Sequence, residues 1–303
     1  MLKIEGVSRS FGDRLVLDDV GFTVERGRLT GFVGGNGAGK TTTMRIILGV
    51  LAADAGRVTM DGTELGPDQR RTFGYMPEER GLYPKMRTVE QIAYLARLHG
   101  FERADATTRA RELLDRLGLS ERADDPVETL SLGNQQRAQI AAALVHDPEV
   151  LILDEPFSGL DPLAVDVVVG VLSEYAARGV PVLFSSHQLD VVERLCDDLV
   201  IIADGQIRAA GPREQLREDF GRTRYEILST GDIGWLRDTR GVEVVDFDGG
   251  YALFEVADAD AAHAVLRDAL DRAPVTAFGP VRPSLAEIFR GVVVDAPAEK
   301  VTR

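Results

Sequence analysis

The chain is poor in several things, and each shortage removes a class of explanation. It has one cysteine, Cys196, in 303 residues, which excludes an internal disulfide framework and suits a reducing compartment. No apolar run approaches the roughly 18 residues that a membrane span requires, and the first residues lack the basic-then-apolar pattern of a signal peptide. Positive charge is scarce: 35 Lys and Arg face 49 Asp and Glu, for a formal charge of −14. No basic half hides in that total, since residues 216–303 hold 11 basic against 16 acidic side chains. A clustered positive footprint for nucleic acid or anionic lipid is therefore not expected. Apolar residues at 44% and charged ones at 28% describe an ordinary folded chain, long enough for about two domains at roughly 150 residues each.

Periodicity divides the chain. Leu2, Ile4, Val7, Leu15, Leu17, Val20, Phe22 and Val24 alternate with polar residues, as in antiparallel strands. "LTGFVG" (29–34) is a short buried strand entering a glycine-rich turn, and "TTTMRIILGVL" after it has helical spacing. Residues 84–147 form a helix-rich insert, after which "VLILD" and "VPVLFSS" resume the sheet. Asp161-Pro162 starts a helix that Gly179 ends, a further helix covers about 188–197, and Asp61-Gly62 and Asp204-Gly205 mark hairpins. Strands alternating with crossover helices predict a mainly parallel α/β sheet. Beyond a linker at Gly211-Pro212, residues 216–293 read strand-helix-strand-strand-helix-strand, the order of a small α+β ferredoxin-like domain, with a last helix after Pro283 and a loose tail over 294–303.

The strongest chemical signal is "GGNGAGKT", Gly34 to Thr41, which matches G-x-x-x-x-G-K-[ST] between an apolar strand and a helix. Main-chain N–H groups of Gly34, Gly35, Asn36, Gly37, Ala38 and Gly39, with Thr42 next to Thr41, can wrap a phosphate at a helix N-terminus. Lys40 can reach β- and γ-phosphates, and the Thr41 hydroxyl can ligate Mg²⁺. "VLILDEP" (150–156) is the second half: Asp154 at the end of a buried strand suits the Mg²⁺ shell, and Glu155 can polarise a water toward a γ-phosphate. Either motif alone could be a ligand-free turn or a solvated strand end; together they point to a nucleotide triphosphate.

With these residues and "LSLGNQQR" (130–137), "SGLD" (158–161), "SSHQLD" (185–190) and "SFGD" (10–13), the chain resembles the ATP-binding subunits of ABC transporters over residues 1–215. The resemblance implies a P-loop NTPase (RecA-like) ABC cassette, with an antiparallel β subdomain and a helical subdomain. It implies ATP and Mg²⁺ as cofactors, Phe11 stacked on adenine (a core role being the alternative), and His187 as the switch histidine on the γ-phosphate. Two cassettes, as a homodimer or a paired ABC subunit, would face head to tail. Ser131, Gly133 and Asn134 of one then cap the ATP of the other, and Asp161 links the two sites. Gly35 stands where the family commonly has proline, and Asn134 replaces the usual signature glutamine. Glu78 replaces the usual Q-loop glutamine; it is read as a cleft residue sharing Mg²⁺ with Thr41 and Asp154, or as an exposed loop acid. These departures resemble a type-2 exporter branch with an added C-terminal domain, whose relatives extrude sodium or drugs. The expected partner is an integral-membrane permease, contacted near Tyr83 and Met86, which places the chain in the cytoplasm at the inner face of the membrane; no nucleic acid is expected.

Lys40, Glu155 and His187 form the expected catalytic set. The rival readings are a non-transport ABC ATPase, which would show long coiled-coil insertions or two cassettes with basic linkers, and an ATP-sensing regulatory module. A guanine-nucleotide switch is excluded by the absence of any Asn-Lys pair. His99, His146 and His263 are read as structural or surface histidines and Cys196 as a packed thiol. The C-terminal domain is expected to serve dimer contact or regulation. Truncation after about residue 216 should then weaken assembly in analytical ultracentrifugation while sparing nucleotide binding.

Overall fold

The computed structural model describes residues 1–79, 81–220, 224–282 and 284–294. The chain begins with β1 (Leu2–Phe11), β2 (Arg14–Val24) and β3 (Leu29–Val33), then α1 (Lys40–Ile47), β4 (Ala55–Met60), β5 (Thr63–Glu64), α2 (Pro67–Arg70) and β6 (Phe73–Met76). Three helices follow, α3 (Thr88–Leu98), α4 (Arg103–Arg116) and α5 (Leu132–Leu144). The sheet resumes with β7 (Val150–Leu153), α6 (Pro162–Ala177), β8 (Val182–Ser186), α7 (Leu189–Leu195), β9 (Asp198–Ala203) and β10 (Gln206–Pro212). Last come α8 (Arg213–Phe220), β11 (Arg224–Ser229), β12 (Val242–Asp248), β13 (Tyr251–Val256), α9 (Ala259–Arg272), β14 (Val275–Val281) and α10 (Leu285–Val294). Contacts divide the chain into two units, Met1–Arg213 and Glu214–Arg303.

The first unit holds two sheets. The antiparallel one has order β2-β1-β4-β5, and the larger one β10-β9-β3-β8-β7-β6. In the larger sheet β9, β3, β8, β7 and β6 pair in parallel and only the edge strand β10 is antiparallel. Every residue of β3, β7, β8 and β9 is buried, so these mostly apolar strands are covered on both faces. Parallel pairing sets the functional geometry, because it puts the C-terminal ends of β3, β8, β7 and β6 side by side along one edge, where open α/β sheets bind ligands.

Local signals behave as their chemistry dictates. Asp61-Gly62 and Asp204-Gly205 take φ of 49° and 81°, and of 50° and 76°, the double positive pair of a type I′ hairpin. Asp161 caps α6 by accepting a hydrogen bond from the Ala164 N–H at 2.9 Å, and Pro162 fills the first turn. Cys196 is buried, and burial pushes its thiol up to about 12, as a packed sulfur requires.

Three expectations need correction or completion. Gly211-Pro212 is no linker: both residues end β10, paired with Leu199 and Asp198 of β9, and α8 follows at once. In the second unit the strand order β12-β13-β11-β14 is that of a ferredoxin-like sheet, but the helix expected near Trp235 is only a five-residue 3₁₀ turn, Gly234–Asp238. The tail beyond Val294 lies outside the described residues, as do Arg80 and Pro283. Among the described residues no helix is long and apolar enough to cross a membrane.

His99, which ends α3, and His146, which precedes β7, stack with ring centroids 3.8 Å apart. The His146 Nε2 lies 3.1 Å from the Phe73 carbonyl, so the neutral ring donates there. Burial, and then the neighbouring His99, push His146 down from 6.5 to about 4. The unfolded chain therefore takes up a proton near pH 6.5 that the folded chain refuses until about pH 4. Denaturant midpoints should fall between those pH values, and His146→Gln should flatten that part of the profile relative to wild type.

Candidate nucleotide site at the strand ends

The loop after β3 is shaped by steric necessity. A Cβ on Gly34 would sit 2.5 Å from the Ile202 carbonyl oxygen, so the chain passes β9 too closely for any side chain. Gly39 caps α1 at φ 110°, a conformation L side chains rarely adopt. At Gly35 a Cβ would meet nothing within 4 Å, so this position of the loop has room for a side chain. Lys40, only 9% exposed, folds its ammonium back over this loop, donating to the carbonyls of Gly34 at 2.7 Å and Gly35 at 3.3 Å.

Asp154 follows β7 and is 1% exposed. A carboxylate so deeply placed needs donors, and it has two: the Thr41 hydroxyl at 2.9 Å on one oxygen and the Ser185 hydroxyl at 2.5 Å on the other. The same Ser185 oxygen accepts the Glu155 N–H at 2.9 Å. Glu155 takes φ 54°, a left-handed conformation that is uncommon outside glycine, asparagine and aspartate. Three contacts hold it: Ser185 on its N–H, the Gln136 side-chain amide donating to its carbonyl at 2.9 Å, and the His187 Nδ1 at 2.9 Å from its carboxylate. Because a carboxylate only accepts, the His187 Nδ1 carries the proton in that contact.

Phe11, Lys40, Thr41, Glu78, Asp154, Glu155 and His187 line one cleft of about 600 Å³, together with Asn36, Gly37 and Thr42. Phe11 is 49% exposed at the β1–β2 turn, with the Arg9 guanidinium 5.1 Å from its ring centroid, so it is not a core residue. Glu78 is an exposed residue on the loop after β6. The Tyr75 phenol is raised by burial and then by the carboxylates of Asp154 and Glu78, which both act on this end of the sheet.

Ser131, Gly133, Asn134 and Asp161 do not join that cleft. Ser131 caps α5, accepting from the Asn134 N–H at 3.3 Å, and the Asn134 side-chain oxygen accepts from Arg137 at 2.5 Å. Leu132 and Leu163, beside Ser131 and Asp161, are 58% and 79% exposed. Ser185, Gln136 and Arg14 join the site without belonging to the expected set. Ser185 had a signal, a paired hydroxyl at the end of a buried strand next to His187. Arg14 had none; the β1–β2 hairpin pairs it with Phe11 and brings its guanidinium to the cleft wall beside Gly37.

The chain is similar to proteins of known family. Residues 17–158 match the ABC transporter family model, and residues 211–293 match the C-terminal domain of DrrA1-3-like ATP-binding proteins. The ABC transporter ATP-binding protein YhaQ of Bacillus subtilis is 36% identical over 289 residues, covering 95% of this chain and 97% of that one. The Nod factor export ATP-binding protein I of Ralstonia nicotianae is 36% identical over 231 residues, covering 75% of this chain and 72% of its own. A solved ATP-binding subunit of an ABC transporter superposes with a TM-score of 0.67 at 35% identity, over 73% of this chain and 93% of that one. The chain belongs to the ABC transporter ATP-binding proteins, the ATP-hydrolysing subunits that drive transport, and it carries the C-terminal domain of the DrrA1-3-like members.

Proposed function

We propose that Lys40, Thr41, Asp154, Glu155 and His187 form the hydrolytic site of this subunit, and that it powers export through a separate membrane permease. The observation that carries the reading is the convergence of four strand-end loops on one cleft around a buried carboxylate that already holds the Thr41 hydroxyl. The loop amides and the Lys40 ammonium bind the phosphate tail, with Phe11 available to an adenine face. Glu155 takes the proton of a water whose oxygen bonds to the γ-phosphorus while the β–γ P–O bond breaks, releasing ADP and phosphate. His187 orients that carboxylate through its protonated Nδ1; a second bond from Nε2 to a phosphate oxygen requires the doubly protonated ring.

Mg²⁺ suits the donors present. Thr41, Asp154 and Glu78 offer hard oxygens, and among the described residues no group of three or more His, Cys, Asp or Glu side chains forms a protein-only cage. That matches an ion held by one or two carboxylates plus phosphates and water. When bound, it neutralises charge on the β- and γ-phosphates.

A second copy, or a paired ABC subunit, completes the site. Support comes from the exposed N-terminus of α5 at Ser131 and the exposed Leu132 and Leu163, an apolar and donor-rich surface outside the chain's own cleft. Tyr83, 64% exposed, and the partly buried Met86 lie on the loop between Glu78 and α3, where a permease segment would meet both. The export direction rests on the relatives, one of which is named for Nod factor export.

Two substitutions test the site. Glu155→Gln should leave ATP affinity within about twofold, lower turnover by about 10²-fold or more, and trap an ATP-bound dimer in size-exclusion chromatography. Steady-state hydrolysis near wild type would remove Glu155 from the chemistry. Lys40→Ala should raise the Kd for ATP by about tenfold or more in titration calorimetry, because it deletes the phosphate-facing ammonium.

A further inference from the structure

Helix α5 is tied to both acidic segments of the cleft by two glutamines three residues apart, and so on one face. Gln136 holds the Glu155 carbonyl, as described above. Gln139, one turn on and only 4% exposed, donates from Nε2 to the Pro77 carbonyl at 2.7 Å and to the Glu79 carbonyl at 3.2 Å. These are the two carbonyls that flank Glu78. Both can only accept, so the amide orientation is fixed by chemistry: the NH₂ group must face the loop.

We propose that Gln139 is a positioning residue that fixes the Glu78 carboxylate in the nucleotide cleft and makes its placement follow the movement of α5. The inference rests on the reading of Glu78 as a working cleft residue. The Gln139 side chain is buried, and its NH₂ group is committed to these two carbonyls. What the amide provides is a two-point clamp on a loop whose middle residue lines the ATP site. The opposite end of α5 begins at Ser131, with Gly133 and Asn134 in its first turn. A shift of this helix, when a partner covers Ser131, is thereby passed to the backbone on both sides of Glu78 without any contact between Ser131 and the chain's own cleft.

The test is a double-mutant cycle on the full-length chain, comparing Gln139→Met, which keeps the volume, with Gln139→Glu, which keeps the shape but has no N–H. Both should lower kcat by about tenfold with KM for ATP within about twofold, because loop placement and not nucleotide affinity is lost. The melting temperature of the Met variant should stay within about 3 °C of wild type. In a Glu78→Ala background, which is itself slowed, either Gln139 change should cost less than about twofold more, since a positioning residue has nothing left to position. Wild-type kcat in whichever Gln139 variant folds, or the same tenfold loss on top of Glu78→Ala, overturns the proposal while leaving Glu78 in the site. Unchanged turnover in Glu78→Ala alone instead removes Glu78 from the site, and the proposal with it.

Discussion

The buried carboxylate of Asp154 is the constraint around which the cleft is organised. At 1% exposure it depends on hydrogen bonds, and both protein donors come from other elements. Thr41 reaches it from the helix after β3, and Ser185 from the end of β8, the strand between β3 and β7. Those contacts exist only at one register, with Leu29 and Val33 of β3 opposite Val182 and Ser186, and Leu153 of β7 opposite Phe184. The buried strands thus do more than fill the core. Their parallel alignment fixes which hydroxyl meets which carboxylate.

Glu155 shows what that alignment makes possible. A left-handed glutamate costs roughly 1–2 kcal/mol against the right-handed form, so it persists only where its surroundings over-determine it. Here the N–H, the carbonyl and the carboxylate each have a separate partner, Ser185, Gln136 and His187. The reversal brings the Glu155 carboxylate to His187 while Asp154, one residue back, bonds to Thr41 and Ser185. Two adjacent acids are given two environments by one backbone reversal, and the Ser185 hydroxyl serves both.

What could be read from the residues was whatever is decided within a few positions. The loop from Gly34 to Thr41, the Asp-Gly hairpins and the Asp161-Pro162 helix start are each set by local sterics or capping, and all appear where their residues place them. Gly211-Pro212 misled because its strand state depends on β9 pairing, which no local signal carries. The roles of Gln136 and Gln139 depend in the same way on distant pairing: each acts on a residue 19 or more positions away, between helix and loop. In the second unit the turn at Trp235 had helical composition, yet Gly234 and the five-residue length leave only a 3₁₀ turn, a form suited to short connections. Of the two readings of Phe11, its 49% exposure sets aside the core role.

The division of the motif residues into two groups has a physical consequence. Residues of the 35–42 loop and the acids share one cleft, whereas Ser131, Gly133 and Asp161 sit at helix starts that do not line it. Under the proposed paired arrangement, neither copy alone can surround a triphosphate, so the barrier to hydrolysis depends on assembly. The energy of closure is then available for mechanical use, because it is gained when ATP bridges the two surfaces and lost when the γ-phosphate leaves. A rigid connection from the partner-facing end of α5 to the acids is what such a device needs. The Gln136 contact to the Glu155 carbonyl provides one arm of it, ending on a residue that its contacts hold in the left-handed region.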